Sequence, residues 1–237
     1  DGALTVNNSA ALDYETTPVF QLTVRVTDVE QQEASAPVTV TLSNVNEPPT
    51  VADATLPAIA EHSPAGTPVG NVNATDPEQA PGTLGYEIVR GDPRQAFVLS
   101  TSGEIKVRSA AALDYETTKT FVLTVRVTDG SGLYDEALIT VPLTNVNEPP
   151  VVQDATFAID ENAPANTVVG QVVATDPDLP DDTLTFVLQD GNLDSAFALH
   201  STNGTLTVNN PAALDYETRP AFSLTVRVSD AGGLTDT

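Results

Sequence analysis

The sequence predicts an all-β protein built of tandem Greek-key β-sandwiches, seven strands to a unit of about 100 residues, joined end to end. Three observations predict it. Leu-Asp-Tyr-Glu-Thr occurs at Leu12–Thr16, Leu113–Thr117 and Leu214–Thr218, each copy starting 101 residues after the last. A fixed period of this kind marks a repeated structural unit. Apolar and polar residues alternate with a period of two in short runs. No stretch of ten residues carries the pattern of an amphipathic helix.

Other landmarks keep the same period. Asn44-Val45-Asn46-Glu47-Pro48-Pro49 returns at Asn145–Pro150, and Leu22–Val26 returns at Leu123–Val127 and Leu224–Val228. Asp76-Pro77-Glu78 has its counterpart in Asp176-Pro177-Asp178. The register slips by one residue after the first Asn-Glu-Pro-Pro run and again between Phe197 and Leu214. Turns are expected at both places, and turns tolerate insertion.

The strands follow from alternation. Leu22, Val24 and Val26 alternate with Thr23, Arg25 and Thr27, as a half-buried strand requires. Val38–Leu42 and Ala137–Leu143 alternate similarly, and Val168–Ala174, Leu184–Leu188, Phe197–His200 and Leu206–Val208 supply strands of the last repeat. Clusters of Gly, Pro, Asn and Asp separate them. The Pro-Pro pairs at 48–49 and 149–150 stiffen the joints, because proline fixes its own φ and restricts its predecessor. Residues 1–46 then read as the last three strands of a unit, 47–147 as a complete unit, and 148–237 as a unit lacking its final strand. Three strands are not expected to bury a core alone.

Composition narrows the function. Nine Lys and Arg face 33 Asp and Glu, a formal net charge of −24. Nucleic acid is excluded as a partner, since phosphates need Lys and Arg to displace their counterions. So acidic a chain strains its compact state by self-repulsion, which bound cations would relieve. The chain has no Cys and only two His, His62 and His200, which excludes disulfides and thiolate metal sites and argues against a multi-histidine zinc site. No run of 18 apolar residues marks a transmembrane segment, and the first residues show no secretory leader pattern.

Taken in order, Leu-Asp-Tyr-Glu, the Asp-Pro-Asp run, Asp160-Glu161-Asn162-Ala163-Pro164, the Asp that ends the Thr-Val-Arg-Val strand, and the Asn-Val-Asn-Glu-Pro-Pro linker resemble cadherin repeats. Such repeats occur in tandem in bacterial surface proteins and in animal adhesion receptors. The resemblance covers essentially the whole chain and implies immunoglobulin-like sandwiches with Ca²⁺ at each joint. Calcium takes six to eight oxygens at about 2.3–2.6 Å, which suits flexible carboxylates, amides and carbonyls. At the first joint the resemblance implies Asp13, Glu15, Asn46 and Glu47 as ligands, answered by Asp76, Glu78 and Asp129 of the next repeat. At the second it implies Glu61, Asp114, Glu116, Asn147 and Glu148, answered by Asp176, Asp178 and Asp230. Asn44 and Asn145 stand where the family often has Asp. Glu47, Glu148 and Glu78 replace the commoner Asp, and Glu61-His62-Ser63 departs from the Glu-Asn pattern. Glu161, Asp215 and Glu217 are expected to form an incomplete site, as is Asp28.

Each motif has a plainer reading. Asp-Tyr-Glu could be a turn with a core tyrosine and two solvated acids; the tyrosine is expected in the core either way. Asp-Pro-Asp alone would be a turn, and Asn-Glu-Pro-Pro alone a linker. The recurrence of complementary acids in every expected loop favours ligation. Arg90-Gly91-Asp92 aligns with Asp190-Gly191-Asn192 and reads as a turn rather than a recognition sequence. His62 is expected at the surface and His200 at a strand end. Asn7, Asn73 and Asn203 begin Asn-x-Ser/Thr sequons, of little meaning in the bacterial source that the uniform acidic repeats suggest.

The leading expectation is a calcium-rigidified segment of a long extracellular adhesin or surface filament on the cell surface. Its partners are calcium ions and identical repeats or chains. One alternative is a filament subunit that self-associates by strand complementation between chains. Another is a carbohydrate-recognition module, which the absence of Trp disfavours. An enzyme is not expected. The sequence has no Gly-x-Ser-x-Gly, no Cys nucleophile and no phosphate-cradling loop. Lys106 and Lys119 have no counterparts in the last repeat, which argues against isopeptide cross-links.

Overall fold

The computed structural model describes residues 2–79, 83–180 and 182–237. It is all-β, with four short 3-10 turns as its only helical elements among the described residues. The chain divides into two compact units, Asp1–Asp114 with Thr118–Thr144, and Tyr115–Thr117 with Asn145–Thr237.

The first unit opens with strands β1 (Val19–Thr27) and β2 (Glu33–Thr41), a regular antiparallel hairpin from Val19↔Thr41 to Thr27↔Glu33. A sandwich follows. Its larger sheet holds β4 (Ala54–Thr55), β8 (Gly85–Arg90), β11 (Thr120–Thr128) and β12 (Tyr134–Thr144), and β5 (Ile59–Ala60) also pairs with β12. The smaller sheet holds β6 (Pro68–Asn71), β9 (Phe97–Leu99) and β10 (Glu104–Val107), and β3 (Thr50–Val51) pairs with β7 (Ala74–Thr75). In β11 and β12 every second residue turns inward, so Leu123, Val125, Val127, Ile139 and Val141 are buried, as are Ile105 and Val107 of β10. Phe97 and Phe121 meet edge to face at 5.1 Å.

The second unit repeats the plan. One sheet orders β16 (Thr185–Asp190), β19 (Thr225–Ser229) and β20 (Thr235–Asp236). The other orders β14 (Val168–Gln171), β18 (Thr205–Val208) and β17 (Phe197–Leu199), while β13 (Val151–Val152) pairs with β15 (Ala174–Thr175). One core cluster joins Ala163, Ala196, Phe197, Leu206, Val208 and Leu214, and another joins Val172, Phe186 and Val228.

Three details differ from the sequence reading. Residues 2–46 form two strands, not three. Leu4 and Val6 correspond to Ile105 and Val107 but lie in no strand and are exposed. Second, the repeated Leu-Thr-Val-Arg-Val sequence has no fixed burial. Leu123, Val125 and Val127 are 0% exposed, whereas Leu22, Val24 and Val26 are 36%, 42% and 66% exposed. Alternation sets which face a residue is on, and only a second sheet buries that face. Third, the motif tyrosines are not core residues. Tyr14 and Tyr216 are 39% and 65% exposed, and Tyr115 is half-buried. Leu113 and Leu214 enter the core instead. Each ends a 3-10 turn, and the chain then swings outward through the Asp-Tyr-Glu turn.

Candidate metal centres

Asp-Tyr-Glu-Thr forms a turn in each copy, and in the first and third its aspartate holds that turn. In the first, Asp13 Oδ1 accepts the Thr16 amide and Oδ2 the Thr16 hydroxyl, each at 2.9 Å. Asp215 takes the same two bonds from Thr218. The Thr16 amide bond, with the hydroxyl, holds Asp13 below the usual carboxylate range. The Thr218 hydroxyl, with its amide, does the same for Asp215.

In the first unit the motif's glutamate, Glu15, meets the linker and the Asp-Pro-Glu loop. Glu15, Glu47 and Glu78 each place one carboxylate oxygen within 4.8 Å of the others. The Glu47 amide donates to Glu78 Oε2 at 3.3 Å. Asp76 Oδ1 accepts the amides of Glu78 and Gln79, both at 2.9 Å, and so shapes the loop that carries Glu78. Asn46 donates through Nδ2 to Asp129 Oδ2 at 2.6 Å and to Ser131 Oγ at 3.1 Å. Asp129 uses its other oxygen on the amides of Ser131 and Leu133. Burial pushes the Asp129 carboxyl up, but Asn46, Leu133 and Ser131 outweigh it, and the net direction is down. Glu47 is pushed up to about 7, first by sharing a proton with Glu78 and then by burial and the charges of Glu78, Glu15 and Asp13. The same bond holds Glu78 below its ordinary value.

The second unit repeats this geometry. Glu116, Glu148 and Asp178 bring one oxygen each within 4.8 Å. The Glu148 amide donates to Asp178 Oδ2 at 3.0 Å, and Asn147 Nδ2 to Asp230 Oδ2 at 2.7 Å. Asp176 Oδ1 accepts the Asp178 amide at 2.9 Å. Asn145 donates to Asp178 Oδ1 at 2.7 Å, and this bond, outweighing burial, keeps Asp178 below its usual value. Glu161, Asp215 and Glu217 form a further exposed trio.

Of the remaining expected ligands, Asp13 is taken up by its own turn. Glu61 and Asp114 belong to the first unit. Glu61 follows β5, is 2% exposed, donates its amide to Thr144 O at 3.1 Å and lies 3.8 Å from His62 Nε2. Asp114 Oδ2 lies 3.7 Å from Arg94 Nη1. Asp28 accepts the amides of Glu30 and Gln32, as Asp129 does in its own turn. Sequence reasoning left two polar contacts unassigned. Asn145 was signalled by the linker motif. Asp182, at the end of the Asp-Pro-Asp loop, lies with Asp176 and Asp230, and no repeated position signalled it.

Arg90-Gly91-Asp92 is a turn. Gly91 has φ +90°, and a Cβ there would lie 2.0 Å from Val122 O. Both Asp92 oxygens are spent on the amides of Ala96 and Phe97. Asn192 caps Phe197 in the same way. His62 is exposed and His200 follows β17.

The residue set suits a hard divalent cation. The donors of the four trios Glu15–Glu47–Glu78, Glu116–Glu148–Asp178, Glu161–Asp215–Glu217 and Asp176–Asp182–Asp230 are all carboxylate oxygens. Asp76 Oδ2, Glu78 Oε1 and Asp176 Oδ2 are buried with no hydrogen-bond donor, an arrangement that costs free energy unless positive charge offsets it.

Comparison with known proteins gives a consistent result. The family description "Cadherin domain" matches residues 57–144 and 155–237. The chain is 33% identical over 235 residues to the Protocadherin-like wing polarity protein stan of Drosophila melanogaster, covering 92% of this chain and 6% of that protein. It is 31% identical to Protocadherin Fat 4 of Homo sapiens, covering 94% of this chain and 5% of that protein. The chain thus spans a small fraction of these relatives. Among solved structures, mouse Cadherin-23 EC22-24 superposes with a TM-score of 0.69 at 26% identity, covering 94% of this chain and 74% of that one. Protocadherin Gamma B2 extracellular cadherin domains 3-6 also gives 0.69, at 23% identity, over 95% and 56% of the two chains.

Proposed function

This chain belongs to the cadherin family, and from that premise we propose that it is a calcium-rigidified segment of an extracellular adhesion protein. The observation that carries the proposal is the trio of Glu15, Glu47 and Glu78, repeated as Glu116, Glu148 and Asp178, with every oxygen pair inside 4.8 Å. Such crowding of like charges is unfavourable unless a cation sits among them. Extracellular modules bind calcium as weakly as about 10⁻⁴–10⁻³ M, a range matched to fluid outside cells.

In this reading Glu15, Glu47 and Glu78 would hold one calcium centre, with Glu116, Glu148 and Asp178 holding its counterpart. Bound calcium supplies the positive charge that lets all three carboxylates ionise together. The chain's own residues do the positioning. The Asp13 turn presents Glu15, the Asp76 bonds present Glu78, and the Asn46–Asp129 bond anchors the linker that carries Glu47. Each centre thereby ties an Asp-Tyr-Glu turn, a linker and an Asp-Pro-x loop into one stiff joint. The stiffened segment serves adhesion, with identical repeats or chains as partners. The relatives named above are animal proteins and give no support to a bacterial source.

Calcium titration of this chain, with thermal melting and small-angle scattering against a chelator control, tests the proposal. Millimolar calcium should raise the melting temperature and narrow the range of particle dimensions. If neither responds, the carboxylates are solvated surface and the proposal fails.

A further inference from the structure

In the second unit a carboxylate that the family motifs do not supply, Asp182, joins two that they do, Asp176 and Asp230. Asp176, Asp182 and Asp230 each place an oxygen within 4.8 Å of the others. By sequence Asp182 corresponds to Gly82, so the inner acids Asp76 and Asp129 of the preceding repeat have no third carboxylate there. Asp182 Oδ1 accepts the amides of Thr183 and Ala231, and its Oδ2 is buried without a donor. Asp176 is 7% exposed; its Oδ1 is used by the Asp178 amide and its Oδ2 is likewise buried without a donor. Asp230, also 7% exposed, accepts the Leu234 amide and the Asn147 side chain. Two neighbouring carboxylates thus each hold one desolvated oxygen that no protein group satisfies, in a place that two further amides have shaped. A buried oxygen of this kind is costly, and a cation is the partner whose chemistry removes the cost.

We propose that the Asp182 carboxylate is a direct ligand to a divalent cation held with Asp176 and Asp230, an additional side-chain ligand peculiar to this repeat. It makes the inner site of the last repeat the tightest in the chain, because affinity in calcium sites rises with the number of charged ligands. This rests on the calcium reading above, so the experiment must separate the two.

The test uses the whole chain and Asp182→Asn, which keeps an Oδ1 acceptor for Ala231 and Thr183. Calcium binding is followed by calorimetry, and melting is followed in calcium and in chelator. The expected result is about a tenfold loss of affinity confined to the tightest class of sites, with the weaker sites unchanged. In chelator the variant should melt at or above the parent temperature, since one of three like charges is gone. In calcium it should melt below the parent. Isotherms that coincide overturn the Asp182 assignment and leave the joint centres standing. Melting lowered equally with and without calcium also overturns it, since Asp182 would then only cap its loop. A parent chain that binds no calcium overturns both readings.

Discussion

Lowering the pH from 8 to 5 should weaken calcium binding at the Glu15, Glu47 and Glu78 cluster by about 100-fold. Glu47 is pushed up to about 7, chiefly by the proton it shares with Glu78. A cation among these oxygens requires that proton to leave. Two pH units below 7 leave about 1% of that carboxyl ionised, and affinity falls in proportion. The stability of the calcium-free protein runs the other way. Its folded-state value lies above the ordinary 4.5, so between pH 4.5 and about 7 the folded chain holds a proton that the unfolded chain has released. Stability without calcium therefore falls as pH rises through that window, while the stabilisation by calcium grows. At the counterpart cluster the Asn145 bond holds Asp178 low, so Asp178 adds no such loss. Calorimetric titrations at half-unit steps, repeated on Glu47→Gln to identify the site, would measure this. A parent affinity constant from pH 5 to 8 would refute the shared-proton argument.

Other perturbations give equally definite outcomes. Leu123→Ala, in a closed core, should cost about 2–5 kcal/mol. Leu22→Ala, at the same motif position but 36% exposed, should cost under about 1 kcal/mol; urea denaturation followed by circular dichroism compares them, and equal losses would show that β1–β2 is covered. Gly91→Ala should destabilise by more than about 1 kcal/mol, because a left-handed turn and the Val122 carbonyl both exclude a Cβ; an unchanged denaturation midpoint would contradict the turn. Asn46→Ala should lower calcium affinity at the first joint several-fold while leaving Glu15, Glu47 and Glu78 intact; calorimetry showing parental affinity would mean the linker needs no anchor.

The sandwich architecture was legible because three copies of one pattern state the strand period and the turns independently. The convergence of Glu15 on Glu47 and Glu78 was legible too, since recurring acids at fixed offsets in three loops imply loops that meet. Burial was not. Leu22 and Leu123 sit in identical local sequence, and their different exposure depends on a sheet contributed by residues far away in the chain. Tyr14 was misplaced for a related reason: the core position in Leu-Asp-Tyr-Glu falls to the leucine that ends the 3-10 turn, and an aromatic two residues later is carried outward. Asp182 escaped notice because a position with no counterpart in the other repeats leaves no periodic trace.

Asn46 and Asp129 are 83 residues apart, and so are Asn147 and Asp230. In each pair the aspartate belongs to the body of a repeat and the asparagine to the segment leading into it. The linker anchor of each joint is therefore written within a single continuous stretch of about one repeat plus its leader, and the Asp-Tyr-Glu turn that completes the cluster is carried by the repeat before it. A gene segment of that length, duplicated in tandem, would deliver a working joint along with each new sandwich. Array length can then drift over generations without any new pair of contacting residues having to arise by separate mutations.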